Sequence, residues 1–327
     1  MAGNEPVWAL LGQHTGDNNQ VLRLAGELGL PFRAFELHYN ALSRLSPQLA
    51  HESFASLDDE SRQKMQPPWP RLVLGVGNRS VPPALAIRRL SGGKAKLVRL
   101  GNPRIPPQNF DLVVTTAQYP VPDAPNVLRL PIGISTAPVL PATTEEMNWL
   151  EQLPRPHRLL LIGGDTFMWH LTPGHVAAAA ETLRHKPGGS VIAVSSARTA
   201  KPVLQRVAAA LAGNEHGLVF GRFPRYPVLL HDADEIYVTA DSVAMVSDAV
   251  ATGKPVGLVM PGRTASGRLF YTLHKLGIPV PVRDIRSFWA GARSQGLVGT
   301  LENPVAGSLS LDPLATAVSA VRKLLES

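Results

Sequence analysis

The segment EIYVTADSVAMVSDAVATGKPVGLV, residues Glu235–Val259, has the pattern of a strand, a helix and a second strand. Its first apolar run is followed by Asp241 and Ser242, residue types that cap helix N-termini. The helical pattern continues to about Thr252, where Gly253 ends it before the next apolar run. The segment therefore predicts a βαβ crossover, the unit from which parallel sheets are built.

The predicted helix of this segment has two distinct stripes. Val243, Val246 and Val250 recur at helical spacing and are expected to face the sheet. Asp241 and Asp248 lie on another stripe, about 10 Å apart along the axis. This span suits a helix whose N-terminus meets a diphosphate while an exposed carboxylate further along meets a ribose. The alternative is that the first acid is a cap and the second is merely solvated.

The same alternation extends along the chain, because short apolar runs bounded by Gly, Pro or Asn alternate with helical patterns. A first series of predicted strands comprises Val7–Leu11, Phe32–Leu37, Leu72–Val76, Lys96–Leu100, Leu112–Thr115 and Val127–Leu130. A second comprises Arg158–Ile162, Val191–Ser195, Leu218–Phe220, Ile236–Thr239 and Val256–Met260. Continuous apolar strands of this kind are typical of buried parallel sheets.

The predicted helices lie between these strands and at the C-terminus. They are Val21–Leu28, Pro82–Leu90, Val176–Arg184, Val203–Leu211, Val243–Thr252, Gly267–Leu276 and Pro313–Leu325. The Pro- and Thr-rich stretch 131–156 separates the two series, with a short helical patch near Glu145–Leu153. We therefore expect an α/β protein with domains at residues 1–150 and 151–327, its last helix packing back across the first domain as an open alternative.

Length and composition set outer limits on the function. The 327 residues favour two domains. We expect a cytoplasmic protein, because no apolar run approaches about 20 residues and no secretory signal is evident. Lys plus Arg exceed Asp plus Glu by 32 to 25. This dispersed excess favours a phosphate-bearing small molecule, or peripheral contact with an anionic inner membrane, over nucleic acid.

Two strand ends in the second half carry candidate phosphate-binding residues. One predicted strand runs directly into Gly163, Gly164 and Asp165, where glycines let backbone N–H groups approach an oxyanion. A tight turn would need the same residues. The next strand ends in Ser196 and Arg198, a possible phosphate clamp of hydroxyl and guanidinium. Equally, Ser196 or the nearby Thr199 would serve as a helix cap.

The first strand of the chain is followed by a polar loop without a nucleotide fingerprint. It lacks G-x-G-x-x-G and a P-loop lysine, so neither a standard dinucleotide site nor an NTPase is expected. His14 and Asp17 are candidate general bases, with an exposed loop residue and an N-cap as the alternatives. Further loop residues are expected to line a cleft between the two predicted domains: Gly16, Asn18, Gly77, Asn78, Arg79 and Asn102.

The sequence lacks the common motifs of zinc sites and of serine hydrolases. Its ten histidines include no H-E-x-x-H and no close cluster with an acid, so no metal site is expected. Cysteine is absent, which excludes thiolate ligands and disulfides. G-x-S-x-G is also missing. No cofactor is expected either.

Five segments resemble a known family. They are GDNNQ at 16–20, GNRSVPPALAIRRLSGGKAKLVRLGNPR at 77–104, FDLVV at 110–114, LLIGGD at 160–165 and VTADSVAMVSDAVATGKPV at 238–256. Together they resemble the mitochondrial fission protein family of plants and its bacterial relatives, usually described as predicted glycosyltransferases. The resemblance covers nearly the whole chain. It implies a bacterial member with a GT-B fold, two Rossmann-like domains whose parallel sheets face a central cleft.

The last of these segments also looks like the donor-binding segment of GT-B enzymes such as the glucosaminyltransferase of peptidoglycan synthesis and lipid A disaccharide synthase. In that pattern an acid before the Gly-x-Pro turn binds the nucleotide ribose, which implies this role for Asp248. Residues at the helix start contact the diphosphate. The resulting donor site comprises Gly163, Gly164, Asp165, Ser196, Arg198, Thr239, Asp241, Ser242, Met245 and Asp248.

The chain departs from the family in two places. The family often has an Arg-rich Ser-Arg-Arg-Thr-Pro segment, whereas residues 196–200 read SARTA and retain one arginine. A Pro-Arg-His-Asp run tends to follow the FDLVV segment, whereas residues 115–119 read TTAQY, so no role of that His-Asp pair carries over.

The resemblance implies transfer of a sugar from a nucleoside-diphosphate sugar to an unidentified acceptor, such as a cell-envelope component, without a metal. Two alternatives remain open. One is a nucleotide-sugar epimerase of the same fold. The other is a non-catalytic module that binds a nucleotide sugar.

Overall fold

The computed structural model describes residues 6–12, 15–44, 52–276, 278 and 283–326. They form two compact units. The first contains the described residues up to Thr136 and the segment from Leu311 onward, and the second is Ala137–Ser310. The second unit thus begins before residue 151 and includes helix α4 (Thr144–Glu151). This helix is tied to it by an ion pair between Glu146 and Arg225.

The first unit is built on a six-stranded parallel sheet in the order β2-β1-β3-β4-β5-β6. Its strands are β1 (Val7–Leu11), β2 (Phe32–Glu36), β3 (Leu72–Val76), β4 (Lys96–Leu100), β5 (Leu112–Thr116) and β6 (Val127–Leu130). Its helices include α1 (Thr15–Glu27), α2 (Asp59–Lys64), α3 (Val81–Leu90) and α11 (Pro313–Glu326). The strand order reverses between β1 and β3, and sheets of this type bind ligands at such a switch point.

Both faces of the first sheet are buried, which explains its continuous apolar strands. Along β1, Val7 and Ala9 join the core on one face, whereas Trp8 and Leu10 join the core on the other. Helix α11 contributes Val321 and its neighbours to the first of these cores. The C-terminal helix therefore packs on the first unit.

The second unit is built on a six-stranded parallel sheet in the order β10-β9-β7-β11-β12-β14. Its strands are β7 (His157–Ile162), β9 (Ser190–Ser195), β10 (Gly217–Val219), β11 (Glu235–Thr239), β12 (Val256–Val259) and β14 (Gly299–Thr300). A separate antiparallel pair consists of β8 (Trp169–His170) and β13 (Gly262–Arg263). The switch point of this sheet lies between β7 and β11.

The remaining helices of the second unit complete its βαβ crossovers. They are α5 (Pro173–Arg184), α6 (Lys201–Ala210), α7 (Tyr226–Asp232), α8 (Val243–Ala251), α9 (Ala265–Lys275) and α10 (Ile285–Ser294). The predicted α/β class with two parallel sheets in series is confirmed. Across the described ranges, no helix is both long and apolar enough to cross a membrane.

Candidate functional site

The switch point of the second sheet brings together the loops that follow β7 and β11. These strands are neighbours in the sheet, so their carboxyl ends meet. The N–H of Gly163 donates to Oγ1 of Thr239 at 2.8 Å. The N–H of Gly164 donates to Oδ2 of Asp241 at 3.0 Å. Four of the predicted donor-site residues therefore form one hydrogen-bonded cluster.

The glycine pair is explained by close packing within this cluster. A Cβ atom on Gly163 would lie 2.3 Å from Oδ2 of Asp241, and one on Gly164 would lie 2.1 Å from the carbonyl oxygen of Arg198. Neither approach is sterically possible for a larger residue. The N–H groups predicted to meet a ligand oxyanion instead donate to a side-chain hydroxyl and a carboxylate of the protein itself.

Asp241 fixes an arginine at this edge of the sheet. Its side chain is fully buried, and its Oδ2 accepts a hydrogen bond from Nη2 of Arg198 at 2.9 Å. Nη1 of the same arginine donates to the carbonyl oxygen of Gly164 at 2.8 Å. The Arg198 side chain nevertheless remains 45% exposed. A buried carboxylate thus holds a guanidinium group that is partly open to solvent.

Asp241 does not cap the start of helix α8, as one alternative of the sequence analysis proposed. Ser242 is the N-cap, and its hydroxyl accepts from the N–H of Met245 at 3.4 Å. Asp241 is engaged with Gly164 and Arg198 instead. The cap alternative therefore applies to Ser242 and not to Asp241.

The hydroxyl groups after β9 stabilise their own loop. Oγ1 of Thr199 lies 2.8 Å from the carbonyl oxygen of Ile162 and 2.7 Å from that of Gly163, and it accepts from the N–H of Ser196 at 2.8 Å. Neither hydroxyl caps the following helix α6, whose N-cap is Ala200. The cap alternative for Ser196 and Thr199 is thus wrong.

Asp248 lies further along helix α8 and differs from the exposed acid that the sequence predicts. It is only 5% exposed, and its Oδ2 accepts a hydrogen bond from the hydroxyl of Tyr226 at 3.2 Å. Burial, together with the nearby Asp248 carboxylate, raises the pKa of Tyr226 well above 10.0, so this hydroxyl stays protonated and donates. Tyr226 begins helix α7, which the sequence analysis does not predict, and it is a site residue that was missed.

A carboxylate–imidazole pair lies on the loop that follows the glycines. Nδ1 of His170 is 2.5 Å from Oδ2 of Asp165, whose Oδ1 accepts from the N–H of Leu171 at 2.9 Å. Both side chains of the pair are about half exposed, at 44% and 52%. A carboxylate that orients an imidazole is an arrangement suited to general base catalysis. The sequence showed only an acid and a histidine five positions apart, too weak a signal to single out His170.

The described residues with predicted roles in the first unit follow β1, β3 and β4. Gly16 and Asn18 lie in the first turn of α1, and Asn18 accepts from the N–H of Gly12 at 2.7 Å and donates to its carbonyl oxygen at 2.9 Å. Asp17 is partly buried in the first turn of α1. His14 lies outside the described residues.

The loops after β3 and β4 are held by side chains of the same unit. Gly77 has a positive φ of 72° and precedes a short turn that contains Asn78. The guanidinium of Arg79, in the same turn, lies 5.9 Å from the centre of the Tyr39 ring. Asn102 accepts from the N–H of Arg104 at 2.8 Å. These residues share the carboxyl edge of the first sheet.

A cavity of about 560 Å³ lies at the opposite, amino edge of the second sheet, beside α4 and α7. His157 and Asp232 line it, with Nδ1 and Oδ2 2.6 Å apart. Among the residues that the structure describes, no group of three or more His, Asp or Glu side chains is arranged to hold a metal ion. Most of the described residues with predicted roles lie instead after the carboxyl ends of the strands, whereas Met245 and Asp248 lie within α8.

Two Rossmann-like α/β units in series, each built on a six-stranded parallel sheet, define a protein of the GT-B fold class. The comparison with solved structures agrees with this class. The chain belongs to the Mitochondrial fission ELM1 family, whose model matches residues 15–297. The family and the GT-B fold class implied by the resemblance are confirmed.

Three solved structures of this fold match almost the whole chain. Staphylococcus aureus MnaA, in a structure with UDP, has a TM-score of 0.54 at 11% identity and covers 99% of this chain and 98% of its own. The UDP-GlcNAc 2-epimerase of Neisseria meningitidis, bound to UDP-GlcNAc, scores 0.52 at 11% identity and covers 98% and 100%. Acinetobacter baumannii MurG scores 0.50 at 13% identity and covers 98% and 92%. No curated protein sequence matches significantly.

Proposed function

We propose that the second unit binds a nucleoside-diphosphate sugar at its β7–β11 switch point, and that the protein transfers the sugar to an acceptor bound by the first unit. The observation that carries this proposal is the partly exposed side chain of Arg198, fixed by the buried carboxylate of Asp241. An arginine positioned in this way is suited to the charge of a diphosphate, because the N–H groups that its protein contacts leave free can donate charge-assisted hydrogen bonds to phosphate oxygens.

Proteins of the same fold support the choice of ligand. The S. aureus MnaA structure contains UDP, and the N. meningitidis epimerase is bound to UDP-GlcNAc. Because one fold hosts many activities, this similarity gives only a class of ligand to test. The residues at the switch point carry the rest of the argument.

Asp248 is the proposed ribose ligand. A carboxylate can accept several hydrogen bonds, so the hydroxyl of Tyr226 and a ribose hydroxyl can share it. Since Asp248 is buried, the ribose would have to reach it at the edge of the Tyr226 contact. A substitution of Asp248 would then test the contact with the nucleoside separately from the diphosphate contact at Arg198.

During transfer, negative charge grows on the departing diphosphate. A guanidinium held in place beforehand stabilises that charge without reorganisation. Arg198 is the proposed group, and a metal ion is not part of the proposal. Asp17 and His14 remain the proposed bases for the acceptor.

Thermal unfolding with UDP tests the donor site. We expect millimolar UDP to raise the melting temperature of the natural protein, because a ligand that binds only the folded state stabilises it. Arg198→Met should lose most of this shift, and Asp248→Asn should also reduce it. Arg206→Met is the matched control, since Arg206 is an exposed arginine on α6.

Removing Arg198 alone leaves the buried Asp241 carboxylate without its cation. The double variant Arg198→Met with Asp241→Asn removes both charges and keeps an acceptor for the N–H of Gly164. A full UDP shift in this double variant would contradict the proposed diphosphate contact. Release of UDP from UDP-sugars in the presence of candidate acceptors then tests transfer itself.

The Asp165–His170 pair favours one further candidate, a nucleotide-sugar epimerase. Epimerisation needs a base near the sugar. In this pair Asp165, which directly follows the glycines, orients the imidazole of His170 on β8, and this imidazole is the candidate base. The epimerase would convert UDP-GlcNAc into a second UDP-sugar without any acceptor, which proton NMR detects. His170→Ala should abolish this conversion and keep the UDP-dependent stabilisation.

A further inference from the structure

Strand β4 of the first unit contains an arginine that faces the protein interior. The strand reads KLVRL, and its fourth residue, Arg99, is only 1% exposed. Its register partners are Gly75 on β3 and Val113 on β5. A Cβ atom on Gly75 would lie 3.5 Å from Nη1 of Arg99, an ordinary van der Waals distance, so the guanidinium lies beside this glycine. Arg99 is thus a charged residue on a buried face of the sheet, near its carboxyl edge.

The guanidinium of Arg99 has too few partners within the described residues. Nη1 donates to Oγ of Ser80 at 2.7 Å. Nε and Nη2 are buried and make no hydrogen bond. No described carboxylate forms an ion pair with it, and Asp17 is the acid close enough to act on its charge. A buried cation without a partner destabilises a fold unless something else compensates it.

The surroundings of Arg99 add further positive charge. Ser80 lies directly before helix α3, whose N-terminus has a partial positive charge. Arg79 lies over the ring of Tyr39, and this tyrosine and Tyr119 are the other titratable groups that act on Arg99. Burial lowers the pKa of Arg99 to about 10, so the group is still protonated at neutral pH.

Thr115 supplies a further donor on the same face of the sheet. It lies on β5, two residues beyond Val113, the register partner of Arg99, and side chains two apart on a strand share a face. Its hydroxyl is buried and without a partner. Two guanidinium nitrogens and one hydroxyl therefore lie near one end of the sheet with no hydrogen bond to the described residues.

We propose that Arg99 and Thr115 form a phosphate-binding site in the first unit, beside the partial positive charge at the start of α3. A phosphate has the charge to neutralise the guanidinium and enough oxygens to accept from several donors. Naming this phosphate as part of the acceptor rests on the proposed function. The acceptor would then be a phosphorylated molecule, and Arg99 would recognise its phosphate group.

Thermal unfolding with inorganic phosphate and with glycerol 1-phosphate, at constant ionic strength, tests this site. We expect both probes to stabilise the natural protein and the Arg89→Met control, whose arginine is exposed on α3. Arg99→Met should lose the shift. Without any probe, Arg99→Met should melt at a higher temperature than the natural protein, because methionine removes an uncompensated charge and keeps the volume.

A purely structural role for Arg99 predicts the opposite result, a lower melting temperature in Arg99→Met and an unchanged phosphate shift. Failure of that variant to fold would also count against the site. Arg99→Lys keeps the charge but loses the fork of donors, so it should fold and bind phosphate at least tenfold more weakly. Stabilisation by inorganic phosphate alone would overturn the assignment to a phosphorylated acceptor.

Crossed measurements separate this site from the donor site. We expect Arg99→Met to keep the UDP shift, and Arg198→Met to keep the shift with glycerol 1-phosphate. Absence of any UDP shift, with the Arg99-dependent phosphate shift intact, would contradict the proposed donor and leave the phosphate site standing. The reverse pattern would remove the phosphate site and leave the donor site.

Discussion

At the scale of single residues, the loop after β7 depends on having no side chain at position 164. A Cβ there would lie 2.1 Å from a backbone oxygen, which cannot rotate away as a side chain would. We expect Gly164→Ala to lower the free energy of unfolding by about 2 kcal/mol, the usual cost of overpacking. It should also displace Arg198 and weaken UDP binding.

Gly174→Ala is the matched control for this substitution. Gly174 lies in the first turn of α5, and a Cβ there would meet nothing within 4 Å. Urea unfolding should show it to be neutral or slightly stabilised, since alanine is the better helix former. Equal stability in the two variants would show that the contact with Arg198 has no energetic weight.

Individual side chains show which features of the site the sequence alone could and could not predict. The glycine pair was recognised, but its partner Asp241 follows a different strand, β11, and local sequence does not show which strands are neighbours in the sheet. Asp248 was expected to be exposed because Tyr226, on another helix, was not known to cover it. Arg99 had a usable signal, since a charged residue inside the apolar run KLVRL requires a reason.

At the scale of elements, helix α4 shows how a short helix is fixed to a sheet. Thr143 and Glu146 form a capping box at its start, and Glu146 also pairs with Arg225 from the loop before α7. These hydrogen bonds, chiefly that from Arg225, hold the pKa of Glu146 well below its usual 4.5. The second unit thus gains stability from an ionised, buried carboxylate.

Glu146→Gln should lower the free energy of unfolding by about 2 kcal/mol at pH 7, the typical contribution of hydrogen bonds to a charged group. A lowered native pKa stabilises the fold above pH 4.5. That contribution is lost as the pH falls below this value toward the native pKa. The difference between the variant and the natural protein should therefore shrink between pH 7 and pH 3.

Glu145→Gln is the control for this pH series. Glu145 is the neighbouring acid of the same helical turn and is exposed. Urea unfolding should show almost no change for it at either pH. If Glu146→Gln lowers the free energy of unfolding equally at pH 7 and pH 3, the loss would come from packing and not from the charge.

Most elements with long apolar patterns were predictable, and the shortest helices were not. The predicted strand Leu72–Val76 matches β3, and the predicted Val243–Thr252 helix ends one residue beyond α8. Helices α2 and α7 were missed, because six or seven residues hold too few turns to show a period. Helix α10 was also missed, although its buried residues recur at helical spacing.

At the scale of the whole molecule, the two units are unequal in how the chain builds them. The first unit takes its last helix from the C-terminal end of the chain, whereas the second is a continuous segment. The periodicity of residues 313–325 predicted a helix but gave no information about its partner. Only the packing of residues such as Val321 assigns it to the first unit.

Val321→Asp should destabilise the first unit by about 3 kcal/mol or more, because it places a charge in an apolar core. Ser319→Asp, on the exposed side of the same helix, should be nearly neutral. Chemical unfolding followed by circular dichroism compares the two. Similar unfolding curves would contradict the packing of α11 on this core.

The return of α11 to the first unit also governs the order of assembly during translation. Residues 137–310 leave the ribosome before residues 313–326 do, so the second unit is complete while the first still lacks one wall of its interior. The nascent chain would then hold an incomplete first unit until residues 313–326 have been synthesised. During that interval the part of its core that α11 covers would be open to chaperones.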